Sequence, residues 1–305
     1  MSDRILPKDQ NRADAANGST LSLLIEPQEK DLGGFSVRRC LPSVGRKSVG
    51  PWVFFDHMGP ATMAAGPGMN VRPHPHVNLA TVTYLFEGEI LHRDSLGSVQ
   101  AIRPGDINLM VAGRGIVHSE RECPERTAHE RRLHGLQLWL ALPQADEETT
   151  PAFHHYPSAD IPALTVAGVP VQVLMGRAFG VESPVKVFAQ TLYVEAELLA
   201  GQSLVLPVAP ERAVYVAQGA VDIDGTAVGE YTMAVLATGA PDVVMRATAP
   251  SRVAVIGGEN VGTRFIDWNF VSSRKQRIEQ ARSDWLNRRF PVVPGDETEF
   301  IPLPQ

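Results

Sequence analysis

Short apolar segments separated by glycine and proline make up most of the chain after its first 20 residues. Over residues 81–86 the alternation places Val82, Tyr84 and Phe86 on one face of a strand, and Glu87-Gly88 then forms a turn sequence. Similar strand and turn signals recur roughly every 8–12 residues, a spacing typical of β-sandwiches and barrels. The pattern therefore predicts an all-β fold.

The second half of the chain repeats this pattern loosely. The segment Tyr84-Leu85-Phe86-Glu87-Gly88 corresponds to Tyr215-Val216-Ala217-Gln218-Gly219. We therefore expect two tandem β-barrel (jelly-roll) domains, the first over residues 21–165 and the second over residues 166–270. Residues 1–20 are polar and are expected to form a flexible N-terminus.

The periodicity changes after Trp268. Ile278, Ala281 and Trp285 fall on one face of a helix, and Ser273 with Gln276 has the spacing of a capping box. We predict a helix over residues 273–288 that packs on a barrel, within a C-terminal segment, 271–305, that ends in an extended tail.

Composition narrows the classes of partner. The 305 residues carry 28 basic and 34 acidic side chains, a net charge of −6, which argues against direct nucleic-acid binding. No apolar run approaches the roughly 18 residues of a membrane span, so we expect no membrane contact. The first residues lack the apolar core of a signal peptide, and two cysteines make no disulfide framework, so a cytoplasmic protein is expected.

Histidines are confined to the first half of the chain. All nine lie between His57 and His155. Histidine chemistry is therefore expected in the first barrel only, and the second barrel should be structural, with aliphatic side chains filling its interior.

Two short segments have the spacing of metal ligands. Pro75 forces His74 into an extended conformation, and residues two apart in an extended chain point to the same side, so His74 and His76 project together. His118 and Glu120 share this spacing. If the two strands face each other across a barrel, three imidazoles and one carboxylate can meet at one metal ion.

Such a ligand set indicates an open, catalytic site. Three histidines and one glutamate leave two exchangeable positions on an octahedral ion. Imidazole and carboxylate suit Fe, Mn, Co, Ni, Cu or Zn, and no thiolate is implied.

The same residues carry a family resemblance. Gly68 with His74-Pro75-His76 and Gly88 resembles the first cupin motif, and Pro104-Gly105 with His118 resembles the second. More narrowly, the first half resembles the pirin family in the segments Phe55-Asp56-His57-Met58-Gly59-Pro60, Thr83-Tyr84-Leu85-Phe86-Glu87-Gly88, Asp94-Ser95-Leu96-Gly97, Ala112-Gly113-Arg114-Gly115-Ile116-Val117-His118-Ser119-Glu120 and Gly135-Leu136-Gln137-Leu138-Trp139.

This resemblance implies a bicupin fold with one metal, usually iron, in the N-terminal barrel. The implied ligands are His74, His76, His118 and Glu120. Some family members resemble quercetin 2,3-dioxygenases in activity, and the eukaryotic namesake is linked to transcription-factor partners. Pirins also show a glutamate separated from the second histidine by three or four residues, where this chain has Ala80 and Thr81, so the carboxylate role falls to Glu120.

Three functions are considered. The first is a non-haem dioxygenase, with Fe(II) as the expected cofactor, acting on a small aromatic or enolic substrate and O2, with Glu120 taking the substrate proton. The second is a metal-bound regulatory or redox-sensing module that binds a partner protein through an exposed charged surface including Arg131-Arg132. The third, a sugar-phosphate isomerase, requires basic groups inside the barrel, for which Arg72 and Arg114 are the candidates.

Other histidines are less distinctive. His92-Arg93-Asp94 has ligand spacing but is expected at an exposed hairpin end. His57 is expected either beside the metal ligands or as a hydrogen-bonded structural residue. His154 and His155 are expected in a solvated loop.

Overall fold

The computed structural model describes residues 20–31, 36–66, 68–240 and 242–304. The predicted flexible N-terminus lies outside the described residues except for Thr20. Strands make up most of the described chain, which confirms the all-β prediction. The described residues contain no helix with the length and hydropathy that a membrane span requires.

Twelve strands and two short 3-10 helices, Pro124–Arg126 and Ser158–Asp160, occupy the described part of the first half. The strands are β1 (Leu21–Ile25), β2 (Gln28–Asp31), β3 (Ser36–Leu41), β4 (Trp52–Met63), β5 (Asn70–His76), β6 (Leu79–Glu87), β7 (Ile90–Asp94), β8 (Val99–Ile102), β9 (Ile107–Val111), β10 (Ile116–Arg121), β11 (Arg131–Ala141) and β12 (Ala152–Tyr156).

Fourteen strands and one α-helix follow in the described part of the second half. They are β13 (Ala163–Val166), β14 (Val169–Met175), β15 (Arg177–Ala178), β16 (Val181–Glu182), β17 (Thr191–Leu198), β18 (Ser203–Val205), β19 (Glu211–Gln218), β20 (Val221–Ile223), β21 (Thr226–Val228), β22 (Met233–Leu236), β23 (Val244–Ala247), β24 (Ser251–Gly258), β25 (Phe265–Asp267), β26 (Phe270–Ser272) and α1 (Lys275–Leu286).

Each half forms a barrel from a seven-stranded and a four-stranded sheet. In the first barrel the orders are β12-β9-β6-β11-β4-β3-β2 and β5-β10-β7-β8, and in the second they are β1-β22-β19-β24-β17-β14-β13 and β18-β23-β20-β21. Strands β4 to β11 thus correspond in order to β17 to β24. This correspondence confirms the internal repeat and the bicupin architecture.

The edge strand β1 belongs to the second barrel, whereas we had placed residues from 21 onward in the first. Leu24 and Ile25 pair with Ala234 and Met233 of β22. Ile25 is fully buried in the core shared by the two barrels. The pairing covers a sheet edge that would otherwise be open, and β12 does the same beside β9 in the first barrel.

The large sheets of the two barrels pack against each other. Tyr84 and Tyr215, which the repeat placed at equivalent positions, both lie in this shared core. The Phe55 and Tyr215 rings are 4.6 Å apart at their centroids, and the Trp52 indole donates hydrogen bonds to the carbonyls of Leu192 and Gly257 at 3.2 and 3.1 Å. The barrels are therefore joined through one continuous apolar core.

A row of hydrogen-bonded polar rings, with His57 and Tyr215 buried and His134 half-buried, crosses this interface. Nδ1 of His57 lies 2.6 Å from the Tyr215 hydroxyl, and its Nε2 lies 2.7 Å from Nε2 of His134. Burial lowers the pKa of His57 to about 3, helped by His134 and Arg38. Burial also lowers the pKa of His134 to about 4. His57 is thus a structural residue, one of the two roles expected for it.

We expect this interface to make the protein less stable in acid. A histidine in the unfolded chain has a pKa near 6.5. Below that pH, His57 is protonated in the unfolded chain but stays unprotonated in the folded one. The free energy of unfolding should therefore fall as pH drops from about 6.5 toward 4. Urea unfolding at pH 7 and pH 5 measures the loss. The decrease in the free energy of unfolding between the two pH values should be smaller in His57→Gln than in the wild type. In the control His129→Gln, whose side chain is exposed, the decrease should equal that of the wild type. An equal loss in His57→Gln would contradict this origin.

The interior of the second barrel is aliphatic, as predicted. Leu204, Leu206, Val214 and Val216 are at most 1% exposed and belong to one core cluster. Arg212, two residues before Val214 on β19, is also buried and donates to the carbonyls of Pro207 and Ala240, so the interior is an aliphatic core with one backbone-paired arginine among its described residues.

The C-terminal helix is shorter than predicted, spanning Lys275–Leu286. The predicted capping box is wrong, because Arg274 is the N-cap and makes no side-chain cap hydrogen bond. Ser273 instead uses its amide and hydroxyl to contact Glu147. Ile278 and Ala281 are buried against Val77 and Phe270, so the helix packs on the first barrel as predicted.

Candidate metal centre

The two histidine segments lie on neighbouring strands of the small sheet, not on strands that face each other across the barrel. His118 on β10 lies directly opposite His74 on β5, and Ile116 lies opposite His76. Alternation within β5 and direct pairing between the strands place all three histidines on the interior face.

The three imidazoles form one buried group. Each offers a ring nitrogen, and these atoms lie within 4.8 Å of one another. Ring centroids are 5.0 Å apart for His74 and His76, 4.3 Å for His74 and His118, and 5.0 Å for His76 and His118. None of the three residues is more than 6% exposed.

Backbone carbonyls determine which nitrogen each of the first two rings can offer. Nδ1–H of His74 donates to the Arg72 carbonyl at 2.9 Å, and Nδ1–H of His76 donates to the Asn269 carbonyl at 3.2 Å. The Nε2 lone pair of each ring is therefore free for a ligand. Nε2 of His118 is buried and has no hydrogen-bond partner.

Burial keeps the three rings neutral. It lowers the pKa of His74 to about 4, although the Arg72 carbonyl opposes the shift. The pKa values of His76 and His118 are lowered well below the usual range, mainly by burial and then by the neighbouring histidines. Neutral imidazole is the form that binds metals.

These observations fit a divalent transition metal. Three neutral nitrogen donors converge, two of them are oriented by carbonyls in the way that metal-bound histidines usually are, and one is otherwise an unsatisfied buried acceptor. The Asn269 carbonyl was not foreseen, because a backbone group from a distant segment leaves no pattern near His76.

Glu120 points into the same barrel but lies outside the close histidine group. Its Oε1 accepts a hydrogen bond of 2.8 Å from Nε2 of Gln137. A register shift between His118 and Glu120 pairs Glu120 with Val71 of β5, one residue beyond the regular partner. Burial raises the pKa of Glu120 to about 7, against the lowering effect of Gln137. Metal coordination by Glu120 stays a prediction.

A row of polar side chains on the large sheet faces the centre. Cross-strand pairing aligns five residues from β4, β11, β6, β9 and β12 in one row: Asp56, Gln137, Thr83, Asn108 and His155. Oδ1 of Asn108 accepts a 2.6 Å hydrogen bond from Nδ1–H of His155, and its buried Nδ2 has no partner. The barrel interior therefore holds a free amide donor.

The next row on the same face of the sheet, two residues along each strand, is mainly aromatic. It consists of Phe54, Trp139, Thr81, Met110 and Phe153. Trp139 stacks on Phe54 with centroids 3.9 Å apart, and it packs edge to face with the His76 ring, with centroids 5.1 Å apart. The large sheet thus presents to the barrel interior an apolar, mainly aromatic row and a polar row that includes the Asp56–Arg39 ion pair.

The His92-Arg93-Asp94 segment is not the exposed hairpin end that we expected. His92 is 3% exposed, Asp94 is fully buried, and Nδ1 of His92 lies 3.5 Å from Nδ1 of His118. The hairpin tip follows Asp94, so the turn is solvated while the end of β7 stays inside the barrel. Alternation along β7 would have indicated that His92 and Asp94 share one face.

Other expectations are also corrected. His154 and His155 lie on β12, where pairing with β9 leaves them half-buried instead of solvated. Arg131, proposed for an exposed docking surface, is 7% exposed because it pairs with Glu122. Arg72 and Arg114 are exposed and so do not supply the interior cations that an isomerase would need. The isomerase hypothesis therefore loses both residues proposed for it, whereas the regulatory hypothesis keeps Arg132, which is exposed and pairs with Glu87.

This fold and site define a two-barrel cupin protein with a histidine triad in its first barrel. The Pirin family model matches residues 34–140, and the Pirin C-terminal cupin domain model matches residues 193–291. A pirin-like protein of Caulobacter vibrioides is 48% identical over 93% of this chain and 100% of its own length. Human pirin is 32% identical over 88% of this chain and 92% of its own. The chain belongs to the pirin family.

Solved structures agree with this assignment. Quercetin 2,3-dioxygenase from Acinetobacter baumannii superposes with a TM-score of 0.86 at 34% identity, covering 92% of this chain and 94% of that one. A bacterial pirin from Escherichia coli in complex with nickel(II) superposes with a TM-score of 0.60 at 20% identity, covering 78% and 98%. The second likeness concerns the fold alone.

Proposed function

We propose that the protein is a metal-dependent dioxygenase that opens planar enolic or phenolic compounds, such as the flavonol quercetin, with O2. The metal is one divalent ion, Fe(II) in the first place, held by His74, His76, His118 and Glu120. The observation that carries the proposal is the group of three neutral imidazoles, with free Nε2 atoms, inside a buried barrel. The similarity to the Acinetobacter baumannii quercetin 2,3-dioxygenase supports the substrate class.

The residues around the histidines suit a flat, hydroxylated substrate. When bound, the metal supplies Lewis-acid activation of a substrate oxygen and a place for dioxygen. Glu120 accepts the substrate's hydroxyl proton at its carboxylate, and Gln137 holds that carboxylate in place. Phe54 and Trp139 offer an apolar wall, and Nδ2 of Asn108 offers a hydrogen bond to a second substrate oxygen.

Oxygen uptake tests this function directly. The protein is loaded with Fe(II) without oxygen and mixed with quercetin, and then air is admitted. We expect oxygen consumption and loss of the flavonol absorbance in equal molar amounts. His129→Ala is the matched control, since it removes an exposed histidine of the same barrel and should leave both rates unchanged. Tight metal binding without turnover of any flavonol would favour the regulatory hypothesis instead.

We also expect one tightly bound metal per chain. In the second half, the segment 131 residues after His74-Pro75-His76 is Val205-Leu206-Pro207, at the end of β18, and no histidine occurs after His155. Aliphatic side chains cannot bind a metal. Elemental analysis of the purified, chelator-washed protein should give one equivalent. Two equivalents held at similar strength would contradict this expectation.

A further inference from the structure

The third imidazole of the triad is supported by side chains instead of a backbone carbonyl. Strand β7 lies beside β10, with Asp94 opposite His118 and His92 opposite Glu120. Nε2 of His92 lies 3.1 Å from Oδ2 of Asp94, and Nδ1 of His92 lies 3.5 Å from Nδ1 of His118. All three side chains are buried.

The Asp94 carboxylate determines which ring nitrogens of His92 and His118 carry protons. Oδ1 of Asp94 accepts the backbone N–H groups of Leu96 and Ser98 at 2.8 and 3.0 Å, so the carboxylate acts as an acceptor on both oxygens. Nε2 of His92 must then donate to Oδ2. A neutral imidazole with its proton on Nε2 has a lone pair on Nδ1.

The lone pair of His92 faces His118. Two ring nitrogens at this distance make a hydrogen bond only if one of them carries a proton and the other does not. Nδ1 of His118 must therefore be the donor, which leaves the lone pair of His118 on Nε2. That atom is the one that is buried without a partner.

We propose that Asp94 and His92 are positioning residues that hold His118 in the tautomer and orientation needed to bind the metal. The inference rests on the proposed metal site. The Phe153 ring stacks on His92 with centroids 4.2 Å apart and planes 14° from parallel, which keeps His92 from turning. His74 and His76 need no such pair, because backbone carbonyls orient them.

Asp94→Asn is the sharpest test. The amide can keep Oδ1 as the acceptor for the turn, but it places an NH2 group where Oδ2 was. His92 must then accept at Nε2 and carry its proton on Nδ1, which opposes the proton of His118. We expect the affinity for Co(II), titrated without substrate or O2, to fall by roughly 10–100-fold, the usual cost of losing an outer hydrogen-bond partner of a metal ligand.

Two substitutions at His92 separate orientation from packing. His92→Phe keeps a flat ring against Phe153 but has no acceptor, so a similar loss of Co(II) affinity is expected. His92→Asn places an amide oxygen near the position of Nδ1 and should recover part of the affinity. The Co(II) absorption bands of His92→Asn should resemble those of the wild type.

Asp106→Asn is the matched control. Asp106 is also a buried carboxylate of the first barrel that accepts backbone N–H groups, those of Arg103 and Ser158. It should keep wild-type Co(II) affinity. An equal loss of affinity in Asp106→Asn would overturn the proposal, and so would wild-type affinity in Asp94→Asn.

The metal-free protein gives a second, independent measurement. Nitrogen-15 NMR of the imidazoles should show His118 with its proton on Nδ1 in the wild type. A proton on Nε2 of His118 would overturn the proposal even if Asp94→Asn does not fold. Absence of dioxygenase activity leaves both readouts unaffected, so the failure of the proposed reaction is distinguishable from the failure of this inference.

Discussion

Replacing His76 with alanine is expected to remove tight metal binding and, with it, the dioxygenase activity that we propose. The variant loses one of three converging nitrogen donors and leaves the Asn269 carbonyl without its donor. We expect the metal affinity to fall by more than about 100-fold, beyond the roughly 10–100-fold cost of losing an outer partner. Competition with a chelator of known affinity measures the loss.

Glu120→Gln should fail in a different way. Glutamine keeps the shape and an oxygen donor but loses the negative charge and the basicity. We expect weaker but measurable metal binding, and activity per bound metal lower by roughly 100-fold, the usual scale for a positioned base. Unchanged affinity and unchanged turnover in Glu120→Gln would remove Glu120 from the site and leave the three histidines as its only protein ligands among the predicted four.

Among the substitutions considered for stability, Glu147→Ala is expected to cause the largest decrease in the free energy of unfolding. This buried carboxylate accepts hydrogen bonds from Asn78, Ser272 and Ser273. Nε of Arg264 lies 2.7 Å from its Oε1 as an ion pair, without the alignment of a hydrogen bond. Glu147 therefore ties the first barrel to the segment that leads into α1.

Removing this carboxylate leaves a buried arginine without a counter-charge. Such a loss typically costs about 3–5 kcal/mol in the free energy of unfolding. Equilibrium unfolding in guanidinium chloride, followed by tryptophan fluorescence, measures it. The neighbouring Glu148 pairs with Arg274 and Arg277 but is half exposed, so Glu148→Ala should cost no more than about 1 kcal/mol. Equal stability of the two variants would show that Glu147 does not hold the C-terminal segment in place.

Glu147 also shows what the sequence could not reveal about the C-terminal segment. The periodicity of the C-terminal segment correctly predicts a helix that buries Ile278 and Ala281. The serine before the helix has the spacing of a cap, yet its hydroxyl donates to Glu147 instead. The hydroxyl of a potential capping serine can bond instead to a buried acceptor that the fold brings near. The residues around the serine do not show which acceptor that is.

Local chemistry determined the fold class and the principal candidate ligands. Alternation of apolar and polar residues is imposed by the pleat of a strand, so it remains visible along the chain. Proline at position 75 restricts its neighbour sterically, which makes the common direction of His74 and His76 readable without a structure. The repeat is visible because both barrels need apolar residues at the same positions, as Tyr84 and Tyr215 illustrate.

Contacts between distant segments were decided only by the tertiary structure. These are the pairing of β5 with β10, the place of β1 in the second barrel, the carbonyl of Asn269 behind His76, and the burial of His92 and Asp94 beside His118. Each depends on which strands become neighbours, and strand pairing is set by the packing of the whole barrel. The sequence by itself therefore determined which side chains could bind a metal, and the fold decided how each of them is oriented, because orientation depends on hydrogen-bond partners that are remote in the chain or on neighbouring strands.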